Sequence, residues 1–369
     1  MMETFLIYLL IPALKIGVVV LVLSGAIAYL TLLERKVIAH IQVRLGPMRV
    51  GWHGLLQPIA DGIKFLAKED IVPAKADALL FTLGPIISLI PAFLVFSVVP
   101  FGPPDMLQGV LSKALGFLLP PEGVEQVVTN SIASGGFVTD LNIGLLFLLS
   151  VSSVGILGVI LGGWASNSKY PMLGALRSSA QMVSYEVALG FSIIGVLLIA
   201  RSLSLVEIVE QQQASGIWYF ALQPVAAVLF FICGLAETNR LPFDLPEAET
   251  ELVGGFHTEY SGFRFSLYFM AEYANMISVA ALMTTLFFGG WLQPFPNVPW
   301  LWFLGFIPSF MWFSIKVFLI LYVFIWIRGT LPRFRFDQLM RYGWKIFLPV
   351  ALANVIVTAC LVWLFTLRG

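Results

Sequence analysis

Charge is scarce in this chain. Only 11% of its 369 residues are Asp, Glu, Lys or Arg, against 59% hydrophobic, and mean hydropathy is +0.92. Soluble globular chains carry roughly 25% charged residues, so this composition argues strongly against a water-soluble fold. Cysteine is scarcer still, with Cys233 and Cys360 each inside an apolar run. Two thiols make no disulfide framework and are too few to ligate an Fe–S cluster alone. The three histidines, His40, His53 and His257, lie scattered in loops without metal-ligand spacing, which argues against a metal site. No G-x-G-x-x-G or P-loop pattern occurs, so nucleotide binding has no support. Barrel-type β alternation is also missing, which leaves a helical bundle as the membrane architecture.

Long apolar runs are what the sequence has in abundance. Stretches near or above the ~20 residues needed to span a bilayer fall at about 5–33, 79–100, 142–165, 182–200, 217–238, 266–290, 301–327 and 346–367. Their interruptions are rich in Pro, Gly or charge, as helix ends are. The chain reads as a single all-α integral membrane domain over 1–369, a bundle of about eight transmembrane helices with amphipathic interfacial helices. The first run has no basic region before it and no A-x-A-like exit, so it reads as an uncleaved helix.

Lys and Arg are distributed unevenly. Segments 34–78, 166–181, 239–265 and 328–345 hold sixteen, whereas the alternate segments and the C-terminal tail hold three: Lys113, Arg201 and Arg368. The positive-inside rule makes the first set cytoplasmic and puts both termini on the periplasmic or equivalent outer side. Segment 201–213 reads as a helix lying along the outer interface. Gly158 and Gly162 predict close helix contact.

The cytoplasmic loops carry the chemistry. In the first, Leu55, Leu56, Ile59, Ile63 and Phe65 fall roughly on one helical face, with Asp61, Lys64 and Lys68 elsewhere. That pattern fits a surface helix anchored by snorkelling lysines or the wall of a cavity at the membrane boundary. The third loop has five carboxylates between Glu237 and Glu251, with one arginine, Arg240. Pro242, Phe243 and Pro246 suggest a constrained, partly buried segment rather than a solvated acidic loop. Glutamates at alternate positions repel, which favours holding and passing protons near neutral pH. Within or at the ends of spans lie Glu186 after Tyr185, Glu272 before Tyr273, and Glu237. A charge near the bilayer centre costs on the order of 3 kcal/mol. Each such carboxylate therefore marks either a structural ion pair (for Glu186, with Lys316 or Arg177) or a proton path.

Taken together the loops resemble those of one membrane component of NADH:quinone oxidoreductase, respiratory complex I, which is lettered H in bacteria and numbered 1 in mitochondria. The matching segments are Glu34-Arg35-Lys36 with Arg44-x-Gly46-Pro47, GLLQPIAD from Gly54 to Asp61, WASNSKY from Trp164 to Tyr170, Ser184-Tyr185-Glu186, AETNR from Ala236 to Arg240 with Pro242-Phe243-Asp244, Glu247-x-Glu249-x-Glu251, Glu259-Tyr260, Glu272-Tyr273, and the run from Arg328 to Met340. They follow the family's order along nearly the whole chain. Met48 departs from the asparagine frequent there, and segment 101–140 is longer than usual.

The resemblance implies a quinone chamber shared with peripheral subunits, with quinone as substrate and with flavin, NADH and Fe–S clusters held elsewhere. It implies that Arg35, Arg44, Asp61 and Phe243 shape the quinone path. Tyr185, Glu186, Glu237, Asp244, Glu247, Glu249, Glu251, Glu272 and Tyr273 then form a polar connection that couples quinone reduction to proton movement. Arg240 is expected to hold a carboxylate of its own loop, because guanidinium binds carboxylate bidentately. Expected partners are the peripheral Fe–S and quinone-site subunits, small membrane subunits, antiporter-like subunits and lipid, with no nucleic acid, in a bacterial inner membrane. The alternatives are the membrane anchor of a related energy-converting hydrogenase and an independent ion transporter. Lys316 has no counterpart in a second half, which weighs against the transporter.

Overall fold

The computed structural model describes residues 10–103, 138–244, 253–294 and 304–368. Among these residues all regular structure is helical: α1 Ile11–Ile41, α2 Gln57–Ala67, α3 Ala78–Leu94, α4 Gly144–Ala165, α5 Lys169–Ala200, α6 Leu205–Ser215, α7 Tyr219–Leu222, α8 Pro224–Glu237, α9 Gly262–Phe287, α10 Ser309–Thr330, α11 Phe336–Tyr342 and α12 Leu348–Arg368. Seven of the eight apolar runs form helices long and apolar enough to cross a bilayer. The run at 217–238 is instead split into α7 and the 14-residue α8. Pro224 begins α8, and Gln223 before it leaves the helical region (φ −131, ψ 55), as the residue preceding a proline tends to do.

Helices α3 and α4 meet backbone to backbone. A Cβ on Gly84 would lie 3.0 Å from Gly162 Cα, and one on Gly158 would lie 2.7 Å from the Gly84 carbonyl oxygen. The close approach expected of Gly158 and Gly162 is made here. Asp77 caps α3 by accepting from Leu79 N and Leu80 N at 3.1 and 3.2 Å. Helix α9 runs through the middle of the bundle, buried over most of its length, and packs against α1, α3, α8 and α10.

Two expectations change. The apolar residues of segment 201–213 pack into the bundle rather than standing free at its surface. Its helical part, α6, starts at the Ser204 cap and buries Leu205, Val206, Ile208 and Val209, and Gln212 donates to the Thr285 carbonyl of α9 at 3.0 Å. Helix α2 buries none of its residues, and its apolar residues divide between two faces. Pro58, Asp61, Gly62 and Phe65, spaced i, i+3, i+4, i+7, share the face turned to the large cavity, while Ile59 and Ile63 remain 55% and 61% exposed.

Candidate functional site: a charge cluster between two cavities

At the end of the bundle carrying the cationic loops, three helices and the turn after α8 converge on one buried knot of charge. Helix α1 is 31 residues long, or about 46 Å at 1.5 Å per residue. It therefore outruns a ~30 Å hydrocarbon core and delivers Glu34 in its penultimate turns. The carboxylate of Glu34, a residue 4% exposed overall, accepts from Arg240 Nη1 at 3.1 Å and from Tyr273 Oη at 2.8 Å. It also accepts from Arg328 on α10. Arg240, 3% exposed, pairs through Nε with Glu272 and lies 4.3 Å over the Tyr273 ring. Two carboxylates thus face two guanidiniums. Buried charges persist only when paired and hydrogen-bonded.

Arg240 reaches this point because the chain turns sharply after α8. Asn239 adopts φ 51, a left-handed conformation that asparagine tolerates better than most residues. Gln181 of α5 then clamps both sides of the turn, donating to the Ala236 and Phe243 carbonyls at 2.8 Å each.

On one side of the knot lies a cavity of about 920 Å³. Its mouth carries Arg35, Arg44 and Asp61; its walls are largely apolar, with Ile27, Phe65, Phe265 and Phe269; and Glu34, Tyr273 and Arg328 stand at its polar end. Arg35 Nη1 donates to Asp61 at 2.7 Å, and Gln57 donates to the other Asp61 oxygen at 3.0 Å. This exposed pair contributes little stability and instead fixes α2 as a wall. Lys36 pins the preceding loop by donating to the His53 carbonyl at 2.5 Å. On the other side of the knot is a second cavity of about 60 Å³ between Glu237, Glu272, Asn239, Asn275, Ser88, Ser152 and His257. That is room for a few water molecules, and the wall offers them polar partners. Burial pushes the His257 imidazole down to about 4, so it is neutral at pH 7.

Sequence comparison puts this architecture in a family. The NADH dehydrogenase family profile matches residues 14–359. The chain is 51% identical over 355 residues to NADH-quinone oxidoreductase H-subunit 2 of Geobacter metallireducens, covering 96% of each chain. It is 52% identical over 357 residues to H-subunit 1 of Geobacter sulfurreducens, covering 97% of this chain and 96% of that one. The H-subunit of Syntrophotalea carbinolica is 46% identical over 363 residues, with 98% and 99% covered. The chain belongs to the H-subunit family of NADH-quinone oxidoreductase.

Several residues that the family motif singles out come together. Arg35, Arg44 and Asp61 share the large cavity, Glu237 and Glu272 share the small one, and Tyr273 joins Glu272 in the knot. Others take different places. Phe243 does not line either cavity; it is 4% exposed and sits between the Tyr185 and Phe334 rings, 5.6 Å from each. The Tyr185 hydroxyl donates to the Leu339 carbonyl of α11 at 2.9 Å. Glu186 accepts from Ser153 of α4 on the rim of an apolar groove between α4 and α5, and makes no pair with Lys316. That lysine instead donates to the carbonyls of Phe288, Gly290 and Leu292 at 2.7, 2.9 and 2.6 Å.

Asp244 pairs with Arg333 at 3.3 Å. Glu247, Glu249 and Glu251 lie outside the described residues. Two carboxylates from outside its loop, Glu34 of α1 and Glu272 of α9, meet Arg240. Sequence reasoning also passed over Glu34, Gln181 and Arg328 as site residues, although Glu34 and Arg328 stand inside the matching motifs. Among the described residues no three of His, Cys, Asp or Glu converge as metal ligands.

Proposed function

We propose that this protein forms the membrane wall of the quinone chamber of NADH-quinone oxidoreductase and couples quinone reduction to proton movement. The observation that carries the reading is the large apolar cavity with a cationic mouth, ending on a buried carboxylate–guanidinium knot. An apolar walled cleft with few polar groups suits a lipid-soluble ligand, and a quinone has a headgroup whose two carbonyl oxygens each seek a donor. Reduction to the quinol takes up two electrons and two protons. The electrons come from redox groups on partner subunits, and the protons must reach the headgroup from the polar side.

Arg35, Arg44 and Asp61 guide the headgroup inward, and Tyr273 with Glu34 stands nearest the protonatable end. Negative charge gained by the quinone would pull on Arg240 and Arg328, loosening their hold on Glu34 and Glu272. Carboxylates released in this way take up protons more readily. Glu272, Glu237 and Glu186, with Asp244, Glu247, Glu249 and Glu251 of the acidic loop, then pass the change toward the antiporter-like partners. Phe243, packed between the Tyr185 and Phe334 rings, shapes the quinone path indirectly by holding the turn that carries Arg240. The Lys/Arg asymmetry orients the knot to the cytoplasm and both termini to the periplasm of a bacterial inner membrane.

The test is Arg35→Ala in the assembled complex. Quinone reductase activity should fall while NADH oxidation by a soluble artificial acceptor is unchanged. Equal loss of both would mark failed assembly, and no loss of either would overturn the reading.

A further inference from the structure

One side chain lines both cavities. Among the described residues, Phe269 is common to the lining of the 920 Å³ and 60 Å³ spaces. Its place follows from helix periodicity. Phe265, Phe269 and Tyr273 recur every four residues along α9 and stack toward the large cavity, with ring centroids 4.8 and 6.3 Å from Phe269. Tyr268, Glu272 and Asn275 occupy the adjoining face and look into the small one. Phe269 stands on the boundary between the faces. His257 braces the septum from the small-cavity side, its ring 5.2 Å from Phe265 and 6.4 Å from Phe269.

The two cavities are therefore joined in two ways. The polar way runs from Tyr273 through Glu34 and Arg240 to Glu272, and every step is a charged or hydroxyl contact. The short way lies across the face of one phenylalanine, which offers a water molecule no hydrogen bond. We propose that Phe269 is a dry septum that keeps the quinone space and the inner carboxylate cavity from sharing water, so that protons crossing between them must use the Glu34–Arg240–Glu272 knot. This rests on the quinone and proton roles proposed above. Without a septum, water would bridge the cavities whatever the charge state of the knot, and quinone reduction would no longer be obliged to move protons onward. Phe269 acts by position, and no proton resides on it.

The experiment is Phe269→Ala in the full complex reconstituted in proteoliposomes, with protons pumped per electron and the stimulation of turnover by a protonophore as readouts. The expected result is at least a twofold fall in protons per electron and loss of protonophore stimulation, whatever the change in turnover. Phe269→Trp, which keeps an aromatic barrier, should retain coupling, and Phe269→Leu stands in should the alanine variant not assemble. Wild-type protons per electron in an assembled alanine or leucine variant would overturn the septum. Arg35→Ala, run in parallel, separates the two ideas. If it impairs quinone reduction while the Phe269 variants stay coupled, only the septum fails; if it leaves quinone reduction intact, the chamber reading fails as well.

Discussion

Glu34→Gln tests the knot most directly. Glutamine keeps the shape of the side chain and an oxygen for Tyr273, but removes one of two negative charges set against Arg240 and Arg328. The Glu34 and Arg240 side chains are 6% and 4% exposed, so water cannot replace the lost partner. Removing one member of a buried pair costs about 3–5 kcal/mol. Arg328→Gln should cost less, because its side chain is 25% exposed and solvent screens what remains. The double variant restores equal charge, one carboxylate against one guanidinium, and should lose less than the two single variants combined.

The assay is irreversible thermal inactivation of quinone reductase activity in the purified complex. At 1.36 kcal/mol per tenfold in rate, the full cost would speed inactivation by roughly two to four orders of magnitude for Glu34→Gln. Additivity of the two changes to within about 0.5 kcal/mol, the behaviour of independent sites, would refute the argument. So would a Glu34→Gln complex as durable as the wild type.

Two further outcomes follow from the small cavity. Glu237→Gln should lower coupled NADH:quinone turnover by roughly a hundredfold or more, the scale of a lost acid–base group, with normal assembly; wild-type turnover and pumping would remove Glu237 from the path. His257 should make the protein acid-sensitive. Its imidazole falls from 6.5 to about 4 on burial, so the unfolded chain binds more protons between those values and stability declines as pH drops through that window. His257→Gln should flatten that decline in a pH series of thermal inactivation, and an unchanged slope would assign it to other groups.

The bundle was legible in the sequence because apolar length, and the Pro, Gly and charge at its interruptions, report directly on the bilayer. Where a tertiary partner decides, they fall short. Segment 201–213 has the composition of an interfacial helix, yet bonds from Gln212 to Thr285 and burial of Ile208 and Val209 draw it into the bundle. The run at 217–238 looks continuous until Pro224 is read as a helix start. Within the site, residue types in the loops pointed to carboxylate chemistry, but not to which carboxylate meets which cation. A left-handed turn at Asn239 aims Arg240 at Glu34, 206 positions away, a contact that no local pattern shows. Phe243 and Tyr185 belong to matching motifs and pack against each other, a contact that no local pattern distinguishes from lining a cavity.

The glycine seam between α3 and α4 has a mechanical consequence. Ser88, Ser152, Gly155, Ile156 and Val159 give the small cavity one side from these two helices. Where the two backbones touch, any side chain at Gly84 or Gly158 would meet main-chain atoms, so these helices form the closely packed side of the space. That side acts as an anvil. Any change in the volume or wetness of the space has to come from the opposite side, through α8, α9 and the turn carrying His257, which is also where the charge knot pulls.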